Sequence, residues 1–142
     1  YFNHGVANND FLRVCGTACD GAWVPVGPVM VADLLPESNP VKATAQAFAK
    51  KYEAANGPGS VSLFAAYTWD VGLLLQQAIP VALKSAKPGT PEFRAALRDA
   101  LENVKNLPTA TGVVNMSATD HNGLDERALV MATVAGGKWK LQ

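Results

Sequence analysis

The chain is 142 residues long, enough for one ordinary domain with a real hydrophobic core. Apolar residues make up 49% of it and charged residues 17%, a balance that excludes a disordered tail. Lys+Arg and Asp+Glu number 12 each, so the formal net charge is zero and the basic excess of a nucleic-acid binder is missing.

Tyr1-Phe2-Asn3-His4-Gly5 reads as the end of a buried strand entering a loop. No initiator Met, basic stretch or apolar signal core accompanies it, and a trimmed piece of something longer is expected. Residues 8–15 predict a short helix, capped by Asn or Asp and stopped by Gly16. Cys15 and Cys19 are candidates for a short-loop disulfide in an oxidising compartment, or for two buried thiols. They do not suit a metal, because no second ligand pair exists to complete a tetrahedral zinc site. From Ala22 to Ala32 the chain is β-rich but broken by Pro25 and Pro28, which predicts an edge strand or an irregular crossing segment.

The next helix is expected from Pro40 to Ala55, with Asn39 as N-cap, Pro40 at the first position and Asn56-Gly57-Pro58-Gly59 as the stop. Val61 to Ala86 is the most apolar segment and predicts a long helix, greasy nearly all round and kinked at Pro80. A third helix starts with Thr90 as cap and Pro91 at the first position, and ends before Pro108. The tail is β: residues 112–116, a polar turn, then 128–134 and 138–141 as a hairpin around Gly136-Gly137. Three helices are too many for so few short strands. Their cover is therefore expected from another chain or from an absent N-terminal part.

The residues assemble no catalytic set: no G-x-S-x-G elbow, P-loop, G-x-G-x-x-G or H-E-x-x-H occurs, so neither an enzyme nor a cofactor is expected. Asp120 to Glu126 has neither the Gly nor the Glu spacing of a calcium loop and reads as a polar turn. His4 sits in a strand-to-loop transition, where α/β proteins meet ligands, or is a plain loop histidine. On the apolar helix, Tyr67 reads as a cleft-facing or core tyrosine, and Asp70 as a cation partner, a cap for a neighbouring backbone, or a boundary residue.

The order Gly5-Val6-Ala7-Asn8, Phe11-Leu12, Cys19-Asp20-Gly21 and Gly27-Pro28 resembles the second lobe of branched-chain-amino-acid-type periplasmic solute-binding proteins. The Pro40 helix with Phe48 and Tyr52, then Ala66-Tyr67-Thr68-Trp69-Asp70, Gly112 to Met116, Asn122-Gly123 and Val134-Ala135-Gly136-Gly137-Lys138-Trp139 continue the likeness. The resemblance implies an α/β fold, part of a two-lobe type I architecture with Rossmann-like lobes and the N-terminal portion absent. By that likeness, residues 1–32 fall in lobe two, 33–118 in lobe one, and 119–142 form the crossing and return to lobe two.

It further implies a periplasmic component of an ABC importer, partnered by permease subunits in the membrane, that closes on a small amino-acid-like or aromatic organic-acid ligand. A cytoplasmic amide-sensing regulator of the same fold is the alternative. The family's acidic partner for a ligand ammonium stands just before Gly-Val-Ala-Asn; here that position is His4, flanked by Asn3 and Gly5. An imidazole is a poor ammonium partner, which points away from an ordinary amino acid. The start of the long helix, around Ser62 and Phe64, is where the resemblance places a contact to the ligand's side chain, with Tyr67 at the hinge or in the core.

Overall fold

The computed structural model describes all 142 residues. A three-stranded antiparallel sheet forms from β1 (Trp23–Val26), β4 (Val130–Ala135) and β5 (Lys138–Leu141), in the order β1-β4-β5. β4 and β5 turn at Gly136 (φ 60°) and Gly137 (φ 68°); both positions need the left-handed backbone that a tight hairpin demands and glycine supplies. β1 pairs only with β4, Val24 opposite Ala132 and Val26 opposite Val130. It is an edge strand, the one place where Pro25 can sit without breaking a ladder.

The β-rich run expected to reach Ala32 stops at Val26. Pro28 opens a 3-10 segment, Pro28–Leu34, where its fixed φ suits the first position and its missing N–H costs nothing. The expected buried strand at the N-terminus is also absent. Tyr1 is exposed, the single backbone link to the sheet is Phe2 N–H to Trp23 O at 2.9 Å, and His4–Val6 form a 3-10 turn capped by Asn3. A helix α1 (Asn9–Cys15) follows, its N-cap Asn8 accepting from Phe11 N–H at 2.8 Å.

Three longer helices come next. α2 (Lys42–Asn56) starts two residues later than Pro40, because Asn39 first caps a turn: its side chain accepts from Val41 N–H and its carbonyl from Lys42 N–H. α3 (Leu63–Ala82) is capped by Ser62 and runs through Pro80 to its end, and turn bonds such as Ser85 N–H and Ala86 N–H to the Ala82 carbonyl carry the chain on to Ala86. α4 (Pro91–Glu102) is capped by Thr90, which accepts from Phe93 N–H at 3.1 Å. Beyond it, β2 (Leu107–Pro108) pairs with β3 (Val113–Val114). β2 has two residues, one of them proline, and offers no periodicity to read.

One core joins these elements. Val24, Val26 and Val134 of the sheet, Val41, Phe48 and Ala45 on and before α2, and Leu63 and Ala66 of α3 are all buried in it. Trp139 of β5 stacks on Phe11 of α1, ring centroids 6.2 Å apart and planes within 11°. Trp69 of α3 lies 5.7 Å from Phe48, with the Lys51 ammonium 5.3 Å from its ring. Both indole N–H groups are buried without a hydrogen-bond partner. α3 packs on α4, yet Phe64, Val71, Ile79 and Val81 stay exposed on it. No helix is long and apolar enough to cross a membrane.

Candidate ligand-binding site

Two pieces of backbone converge on one cavity. The 3-10 turn at His4 and the cap of α1 supply one wall, and the N-terminus of α3 supplies the other. Together, His4, Gly5, Asn8, Ser62, Phe64 and Tyr67 border a cavity of about 140 Å³. Of the five residues expected to meet a ligand, four line it: His4, Gly5, Ser62 and Phe64. Asn3 does not; its side chain caps the turn by accepting from Gly5 N–H at 2.9 Å. That cap also explains Gly5, since a Cβ there would meet Asn3 Oδ1 at 3.0 Å.

The ring of His4 is fixed by β1: Nδ1 lies 2.9 Å from the carbonyl oxygen of Pro25. Two residues on, Gly27 lets the first residue of α3 approach closely, for a Cβ at Gly27 would overlap the Leu63 side chain. The end of β1 therefore sets both walls, holding His4 by a carbonyl and seating α3 by an absent side chain. Ser62 then spends its hydroxyl on Ala65 N–H at 3.2 Å and its carbonyl on Ala66 N–H at 3.1 Å. The first-turn N–H groups of Leu63 and Phe64, both cavity residues, are left by that cap for an outside acceptor.

Phe64 is 84% exposed and Tyr67 is 42% exposed, so two aromatic side chains stand at the opening and Tyr67 is a wall residue and not a core one. No Asp, Glu, Lys or Arg lines the cavity. The surface offers an imidazole, amide donors, a hydroxyl and ring faces, which suits holding a small molecule.

Three further residues singled out in the sequence lie away from the cavity. Asp70, buried on α3, accepts from Ala110 N–H (2.7 Å), Thr111 N–H (3.0 Å) and Thr111 Oγ1–H (2.6 Å), tying the loop after β2 to the helix. It caps a neighbouring backbone and pairs with no cation. Cys15, at the end of α1, and Cys19, one turn on, have Cα atoms 5.7 Å apart and sulfurs facing each other, the separation of a bridged pair.

No protein-family model and no curated protein matches the chain. Solved structures do. An extracellular ligand-binding receptor from Rhodopseudomonas palustris superposes at a TM-score of 0.90 and 40% identity, over 99% of this chain and 39% of that one. A periplasmic binding protein type 1 from Bordetella pertussis Tohama I shares the fold at a TM-score of 0.66 and 21% identity, over 99% of this chain and 37% of that one. The chain has the type 1 periplasmic-binding-protein fold. A candidate branched-chain amino acid ABC transporter protein from Rhodospirillum rubrum shares that fold at 0.57 and 24%, over 99% of this chain and 36% of that one. This chain thus spans less than two-fifths of each of these proteins, and represents part of the type 1 fold.

Proposed function

We propose that this chain supplies part of the binding cleft of an exported, non-enzymatic solute receptor that serves an ABC importer. The observation that carries the reading is the convergence of the His4 turn and the α3 N-terminus on one cavity, within a fold shared at 40% identity with an extracellular ligand-binding receptor. Residues 1–32 and 119–142 would then belong to one lobe and residues 33–118 to the other, with solute held between them until permease subunits receive it. The aromatic rims and the absence of a carboxylate favour a small organic acid, aromatic or amino-acid-like, over a ligand anchored by its ammonium. A Cys15–Cys19 disulfide fits the same exported setting.

Isothermal titration of the full-length protein against amino acids, aromatic carboxylates and amides tests this. Saturable binding by one class, weakened at least about tenfold when Phe64 and Tyr67 are both changed to Ala, is the expected result. Silence across all three classes sinks the reading.

A further inference from the structure

The bond between His4 and Pro25 decides more than where the imidazole sits. A carbonyl oxygen can only accept, so at 2.9 Å the Nδ1 atom must carry the proton and donate it. In the neutral ring the other nitrogen, Nε2, is then a bare acceptor. Nothing in the protein takes it up: His4 makes no second hydrogen bond, its side chain is half-buried, and it lines the cavity. Nor is there a carboxylate or ammonium among the cavity walls to pair with the ring; Tyr67 is the one other titratable group there. Closing a solute over His4 removes water from Nε2, and a buried acceptor left unpaired costs more than the bond itself would gain.

We propose that His4 is a specificity-determining residue that selects solutes carrying a hydroxyl or N–H donor at the end that meets the imidazole. The proposal rests on the ligand-binding reading of this cavity. β1 fixes the polarity of the ring before any solute arrives, so a donor gains a bond whose partner is already oriented. A methyl ether or a bare apolar edge in the same place leaves Nε2 dry. A carboxylate there meets a lone pair, and binds only where the ring takes a second proton.

The test uses the full-length protein and matched probes: 4-hydroxybenzoate, 4-methoxybenzoate and benzoate by calorimetry, with histidine ring nitrogen shifts read by NMR. We expect 4-hydroxybenzoate to bind about tenfold more tightly than either analogue. His4→Leu should bring the three within about twofold, while His4→Gln, which keeps a donor for Pro25 and an acceptor for the solute, should retain part of the preference. The NMR spectrum should show Nδ1 protonated and Nε2 bare in the free protein. Equal affinity for all three probes, a ring protonated at Nε2, or an imidazolium formed on binding overturns the inference while leaving solute binding intact. Binding of none of these probes, nor of amino acids or amides, overturns the site and the inference together.

Discussion

Asp70 shows how much one side chain can organise. Its carboxylate takes three donors from residues 110–111 inside the protein, and Asp70→Ala strands all of them. A loss of about 3 kcal/mol in chemical denaturation is expected, from unpaired buried donors. Asp125 makes the contrasting case at the surface. The Arg127 guanidinium and its backbone N–H hold its carboxyl down from 3.8 to about 2. A depressed pKa gives stability that is present above about 3.8 and fades as the pH falls toward about 2. Because the pair is exposed, solvent and salt screen it, and little global stability rides on it. Arg127→Gln removes the guanidinium but keeps the backbone N–H, so it should raise the Asp125 midpoint from about 2 only part of the way to 3.8 by NMR titration, with the melting temperature at neutral pH scarcely moved.

The helices bring out what their ends do. Ser62 caps α3 and borders the cavity, so Ser62→Ala should cost about 1 kcal/mol and also loosen the wall that carries Phe64. Ser62→Asp should restore the stability, since it caps equally well, and a calorimetric titration of both variants separates the cap from the ligand contact. The turn from Cys15 to Cys19 should give about 2 kcal/mol from loop closure when bridged, read as a drop in melting temperature on reduction and a mass increase of about 2 Da.

Caps of this kind were legible in the sequence: Thr90-Pro91 and Asn8 begin helices where their residue types say they should. So was the Gly136-Gly137 hairpin, whose chemistry is local. The misses came from short elements. The 3-10 turns at His4 and at Pro28 and the two-residue β2 span less than one period of any pattern, so tertiary contacts alone decide them. That His4 and Phe64 border the cavity was readable from their places in a familiar order. Asn3 was not, because a cap two residues away claims its side chain, and neither was Tyr67's exposure, which depends on how α3 seats against Gly27.

For the molecule as a whole, the unfinished surface is on α3, where Phe64, Val71, Ile79 and Val81 stay exposed. Large apolar side chains exposed in this number along one helix favour association in water. The 142-residue chain expressed alone should bind a hydrophobic dye and self-associate in sedimentation, and the full-length protein should do neither. A dye-free, monodisperse short chain would show that these side chains need no cover. On the proposed reading, closure of the cleft on solute should meanwhile be visible without any added probe. Trp139 lies face to face with Phe11, and α1 carries Phe11 at one end of a helix whose cap, Asn8, touches the cavity. The buried Trp139 indole N–H has no hydrogen-bond partner, so its emission should respond to the apolar packing around the ring. A solute that shifts the α1 cap should change that packing, which would give the proposed receptor an optical gauge of occupancy of its own.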